Sequence, residues 1–126
     1  MKLIIGGAYQ GKLDYALSHY GFTRNDVHFC AEDETALVTD KPVLYGFERW
    51  VLALVRSGRD VRVEVEAVLP RLSDKVVIAT DISAGVVPID PVIRAWREDS
   101  GRATVRLAGV ADEVVRLFVG LPTKLK

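Results

Sequence analysis

The amino-acid sequence predicts an α/β fold built on a mostly parallel sheet, and three observations carry that expectation. Short apolar runs, Leu3-Ile4-Ile5 and Val76-Val77-Ile78-Ala79, hold no polar residue, as suits central strands covered on both faces. These runs alternate with stretches whose apolar residues recur at helical spacing. The first run leads at once into a glycine-rich turn and then a helical stretch, the order that strand–helix alternation in a parallel sheet requires. No internal repeat or linker interrupts the chain, and 1–126 reads as one domain.

The elements follow in order. Lys2–Ile5 is the first strand. Leu13, Ala16, Leu17 and Tyr20 then form one apolar helical stripe that Gly21 ends. Asp26–Cys30 reads as a second strand, and Ala31–Lys41, acidic and without a period, as a surface loop. Pro42–Tyr45 is a third strand, with proline at its first residue, where the missing N–H is tolerated. Gly46 breaks it, and Phe47, Trp50, Val51, Leu54 and Val55 mark a helix closed by Ser57-Gly58. Residues 59–72 fit both an exposed strand and a helix; helix is the reading adopted, because Asp60 can cap it and Pro70 suits a strand interior poorly. Val76–Thr80 is a buried strand and Ile82–Ile89 a loop. Asp90-Pro91 starts a long helix, an N-cap followed by proline at the first helical position. Its small or apolar face runs through Val92, Trp96, Ser100, Ala103, Leu107, Val110 and Val114. Val114–Val119 reads as a last strand, after which Gly120-Leu121-Pro122 turns into a basic tail, Lys124-Leu125-Lys126.

Charge and composition exclude several function classes. Acidic and basic residues balance at 17 each, so the basic excess of a general nucleic-acid binder is missing. Neutrality leaves room for a local phosphate site and limits self-repulsion between copies. Cys30 is the one cysteine, so an internal disulfide and a cysteine-based zinc site are excluded. No secretory signal is expected, and no apolar run approaches the roughly 18 residues of a membrane span. A cytoplasmic protein is the plain expectation.

The chemistry concentrates in Gly6-Gly7-Ala8-Tyr9-Gln10-Gly11-Lys12-Leu13. Between a strand and a helix, the G-x-x-x-x-G-K spacing reads as a phosphate-binding loop. Glycines let main-chain N–H groups turn inward, the helix start adds its unpaired amides, and Lys12 brings a mobile charge for outer phosphates. At the next position Leu13 replaces the Ser or Thr whose hydroxyl would bind Mg²⁺, and Leu13 also fits the core stripe of its helix. In parallel sheets, ligands sit at the carboxyl ends of the strands. That places the loop, Gly46 to Glu48, and Asp81 to Pro88 along one edge. Asp81 reads as a metal-side carboxylate, as a base for an acceptor hydroxyl, or as an exposed strand-end aspartate. Glu48 reads as a charge favoured by its helix dipole. Arg94 and Arg97 read as solvated or paired, and Trp50 and Trp96 as core. His19 and His28 show no metal-ligand spacing.

Two stretches together carry a resemblance. The opening, Leu3 to Lys12, is similar to that of the adenosylcobinamide kinase / adenosylcobinamide-phosphate guanylyltransferases of cobalamin assembly. Asp81-Ile82-Ser83-Ala84-Gly85-Val86-Val87-Pro88 resembles that family's loop ending in Gly-Val-Val-Pro. Arg94 to Gly101, Ala111-Asp112-Glu113-Val114 and Val119 to Lys126 resemble its C-terminal pattern. The resemblance implies a P-loop NTPase-like three-layer sandwich, assembly into homo-oligomers, ATP or GTP with Mg²⁺, and cobinamide as acceptor. It implies phosphorylation of the cobinamide side-chain hydroxyl, then attachment of GMP through a histidine. Lys12 would hold phosphates and Asp81 the metal or the hydroxyl. The chain departs from the family pattern at four places. The Lys-Ser pair is Lys12-Leu13. The acidic residue after the third strand is Gly46, with Glu48 nearby. The glutamate before the Gly-Val-Val-Pro loop is Asp81. The family's longer segment with the guanylylated histidine is reduced to Ala31–Lys41, which has no histidine. Two readings follow: a phosphotransferase keeping at most the kinase step, or a non-catalytic nucleotide- or corrinoid-binding partner protein. A purely structural α/β protein is the third.

Overall fold

The computed structural model describes residues 1–83, 85, 86 and 88–126. Ala84 and Val87, within the Gly-Val-Val-Pro stretch and the residues before it, lie outside the described residues. Six strands make one sheet in the order β2-β3-β4-β1-β5-β6. They are β1 (Lys2–Gly6), β2 (Val27–Phe29), β3 (Val43–Tyr45), β4 (Val76–Thr80), β5 (Glu113–Phe118) and β6 (Leu121–Lys124). All neighbours are parallel except β5 and β6. The α/β expectation holds, and so does the three-layer arrangement.

The two-residue period of the strands sorts their side chains into two cores. Leu3, Val77, Ala79 and Val114 face one way, Ile4, Val76, Ile78 and Val115 the other. The first set is covered by α2 (Phe47–Arg56), α3 (Val61–Val68) and α4 (Pro91–Val110); the second by α1 (Lys12–Tyr20). Strands buried on both faces need apolar residues at every position, which is why β1 and β4 read as unbroken apolar runs.

The ambiguous stretch 59–72 is helical: Asp60 accepts from the N–H of Val63 at 3.2 Å, and a 3₁₀ turn, Leu69–Leu72, takes Pro70. Asp90 caps α4 through the N–H of Val92 at 2.8 Å, as the Asp-Pro pair predicts. Two expectations are corrected. Val114 does not continue the face of α4, which stops at Val110; Ala111 is extended and Val114 sits in β5. Its spacing fits both periods, and burial against the sheet decides. Leu121 and Pro122, expected in a turn, and Lys124, the first residue of the expected basic tail, are in fact in β6, the second arm of a hairpin, and Leu125-Lys126 follow it. Val119 and Gly120 both have positive φ, 47° and 77°, and make the two-residue turn between arms that pair Phe118 with Leu121. Valine at the first turn position conceals a signal that Asn-Gly would make plain.

After β1 the chain passes to the α1 face, and after the adjacent β4 to the α4 face. Loops leaving neighbouring strands in opposite directions open a crevice at their carboxyl ends, the usual ligand position in such sheets.

Candidate functional site at the strand-end crest

The glycine-rich turn fills that crevice. Gly6 cannot be replaced: a Cβ there would lie 2.6 Å from the Leu117 carbonyl oxygen of β5. Gly11, at φ 86°, enters α1 in the left-handed region, and its Cβ position is 3.6 Å from the Cα of Gly120. The loop is held on both flanks. The Gly6 carbonyl accepts from the N–H of Asp81 at 2.8 Å. Gln10 accepts twice from the β5–β6 turn, through its carbonyl from Gly120 at 3.0 Å and through its side chain from Val119 at 2.5 Å. Tyr9 stands at the tip, fully exposed, with φ 59°. The main-chain N–H groups of Ala8, Tyr9, Gly11 and Lys12 find no acceptor among the described residues.

Lys12 is buried, 4% exposed, and its Nζ donates to the Gly7 carbonyl at 2.6 Å, bridging the turn from within. Burial lowers its pKa, and the nearby Glu48 carboxylate opposes that shift. Glu48, in the first turn of α2, is also buried, at 6% exposure. Its Oε1 accepts the N–H of Thr80, at the end of β4, at 2.8 Å, and its main-chain carbonyl accepts Trp96 Nε1 at 2.6 Å. Burial raises the Glu48 pKa; the Thr80 amide, Arg49 and Lys12 pull the other way. A lysine and a carboxylate thus share one cavity of about 390 Å³, walled also by Arg49, Thr80 and Trp96.

The residues singled out in the sequence divide between two cavities. Ala8 to Leu13 line the one that holds Lys12 and Glu48. Gly6, Gly7 and Asp81 line its neighbour, and Thr80 and Ile82 form the wall between. Asp81 is therefore not beside Lys12. Its Oδ1 accepts from the Ser83 N–H at 2.9 Å and hydroxyl at 2.6 Å, contacts that hold its pKa below the usual range, with Arg116 and Arg97 adding to the effect. Leu13 packs against the α1-side core while also lining the cavity. Trp50 is core, and Trp96, half-buried, packs against that core and also walls the site. Arg94 donates to the Ile89 carbonyl at 2.9 Å and Arg97 to those of Val86, at 2.8 Å, and Ser83, so both brace the loop. His19 stacks on Tyr15, and His28 pairs with Glu34 at 3.5 Å.

Glu48 is the residue that sequence reasoning undervalued. Acidic residues in a first helical turn are common on solvated surfaces, and nothing local shows that Trp96 and β4 bury this one. Among the described residues, no three His, Cys, Asp or Glu side chains gather as a metal cluster. The donor set suits a hard cation carried by a nucleotide's phosphates, with one protein carboxylate, rather than an all-protein cage.

A parallel sheet with a glycine-rich turn and buried lysine at its switch point defines an α/β protein of the P-loop NTPase type. The family model described as cobinamide kinase / cobinamide phosphate guanyltransferase matches residues 50–125, and the chain belongs to that family. The match begins after the turn, so Lys12 and Glu48 lie outside it. The chain is 33% identical over 81 residues to the bifunctional adenosylcobalamin biosynthesis protein CobU of Salmonella typhimurium, covering 63% of this chain and 45% of that protein. The chain thus spans less than half the length of the curated relative it matches. Among the described residues, no helix is long and apolar enough to cross a membrane.

Proposed function

We propose that the turn from Gly6 to Leu13 binds the phosphates of ATP or GTP, and that the chain is a cobinamide kinase-like phosphotransferase of cobalamin biosynthesis. The observation that carries this reading is Lys12: a lysine buried against the loop, bonded to the Gly7 carbonyl and faced by a buried carboxylate. A bound polyphosphate offers that ammonium a better partner than a neutral carbonyl. The free amides of Ala8, Tyr9, Gly11 and Lys12 would take the inner phosphates. Mg²⁺ would neutralise charge on the transferring phosphoryl group. Glu48, sharing the Lys12 cavity, is the carboxylate placed to orient that ion's shell. Asp81 opens on the adjoining cavity, and of its roles the acceptor-side one, receiving the proton of the cobinamide hydroxyl, fits this position better than metal binding. The guanylyl step is left out, because Ala31–Lys41 holds no histidine and His28 is paired with Glu34. Assembly into homo-oligomers belongs to the same reading, through the exposed edge strand β6.

One observation favours the second reading, a non-catalytic nucleotide- or corrinoid-binding partner protein: Leu13 offers the metal no oxygen. Melting shifts and product formation with ATP and GTP, with and without Mg²⁺ and cobinamide, separate the two. Phosphorylated cobinamide supports the kinase; stabilisation without product supports the binder. No shift with either nucleotide overturns the kinase, and no shift with cobinamide as well overturns both.

A further inference from the structure

The cavity on the other side of Thr80 and Ile82 has about 250 Å³ and lies between the crest and α4. Its unusual member is Arg116. By the alternation of β5, Arg116 points to the same side as Val114, the side that α4 covers, and it sits in register with Ile5 on β1. Its side chain is exposed, with the guanidinium 5.8 Å from the centre of the Phe118 ring, and it lines the open side of the cavity. Helix α4 presents Ser100, Gly101 and Thr104, and a Cβ on Gly101 would meet nothing within 4 Å. Arg116 makes no ion pair within 4 Å among the described residues. The Ser100 hydroxyl, in a residue 5% exposed, has no hydrogen-bond partner among them. Arg97 and Asp81 complete the polar wall, so the cavity has two guanidinium groups against one carboxylate.

We propose that this cavity is a second binding site, separate from the phosphate loop, for the phosphate or carboxylate group of a small organic molecule, with Arg116 as its main cation. Arg97 is already spent on two carbonyls and orients the loop wall. Arg116 meets the anion, the unpartnered Ser100 hydroxyl stands in the same wall, and Ile5, Ala79 and Ile82 offer the apolar surface for the ligand's body. The cavity is the one placed above on the acceptor side, and the proposal deepens that reading; it does not depend on nucleotide binding, because Lys12 is not part of it.

The test is a titration of inorganic phosphate, and separately of glycerol 3-phosphate, into the full chain carrying Lys12→Ala, followed by amide NMR shifts. Saturable shifts at Ser83, Gly101 and Thr104 are expected, and tighter binding of glycerol 3-phosphate would identify an organic phosphate rather than the free ion as the ligand. Equal affinity for the two would overturn the organic part of the proposal. Adding Arg116→Leu, a change at an exposed side chain that should leave the fold intact, is expected to weaken binding at least tenfold. Unchanged affinity, or no saturable shift at those amides before that change, overturns the site. Nucleotide-induced shifts at Ala8 to Lys12 in the Arg116→Leu single variant report the phosphate loop separately.

Discussion

Glu48 reaches from the first turn of α2 to the end of β4, where its Oε1 accepts the N–H of Thr80 at 2.8 Å. That one bond fixes a carboxylate under the rim of the cavity that Lys12 enters. It also joins the helix start to the strand-end crest, at the point where the two cavities share a wall.

Replacing Glu48 separates its structural and electrostatic roles. Glu48→Gln keeps an acceptor for Thr80 and removes the charge. Because the folded-state pKa is raised above 4.5, the folded protein holds this proton more tightly than the unfolded chain. Wild-type stability should therefore fall as pH rises from 4.5 through the raised value, and Glu48→Gln should lack that component. Melting curves from pH 4.5 to 8 should show the variant gaining relative to wild type with rising pH. Glu48→Ala leaves the Thr80 N–H without its acceptor and should cost about 1–3 kcal/mol in denaturant unfolding.

Lys12→Ala tests the phosphate loop. The ammonium bonds only a neutral carbonyl in the free protein, so the fold should survive its loss. Turnover should fall ~100-fold or more, the scale of losing one preorganised charge-stabilising donor. The nucleotide-dependent melting shift should largely vanish. A variant with wild-type turnover and shift would remove Lys12 from the site.

Val119 carries backbone strain. It is 64% exposed and holds φ at 47°, a region costly for a β-branched residue. Val119→Asn should stabilise the chain by about 1 kcal/mol, seen as a higher urea midpoint. The main-chain bonds to Gln10 remain in that variant, so nucleotide affinity should hold.

Cys30 is buried at 4% exposure, and burial pushes its thiol up to about 12, with the Glu48 and Glu34 carboxylates adding to the shift. A thiolate is the reactive form. At pH 8 the native protein should react with a disulfide reagent at least ~100-fold more slowly than free cysteine, whose pKa is near 8.5. The thiol should titrate promptly once the chain is unfolded in guanidinium. Fast native reaction would contradict the burial.

Most of the architecture was open to inspection in the sequence because its signals are local. Both-face burial writes β1 and β4 as apolar runs; Asp60 and Asp90 mark helix starts; the glycines at 6 and 11 stand where a close strand and a left-handed turn demand them. The β5–β6 hairpin was hidden because Val119 occupies a turn position that usually takes Asn or Gly. Val114 was placed both on the face of α4 and in the last strand because a single valine satisfies both periods, and the strand is where it lies.

The linear chain alone determined the parallel α/β layering, the loop at the end of β1 and the kinship carried by its second half, since hydrophobic period and turn chemistry depend on near neighbours. Only the tertiary structure decided that Glu48, 36 residues from Lys12 along the chain, is the carboxylate beside it, that Asp81 opens on another cavity, and that Arg116 lines that same cavity. Burial and electrostatic pairing depend on which segments meet in space, and no spacing along the chain records that.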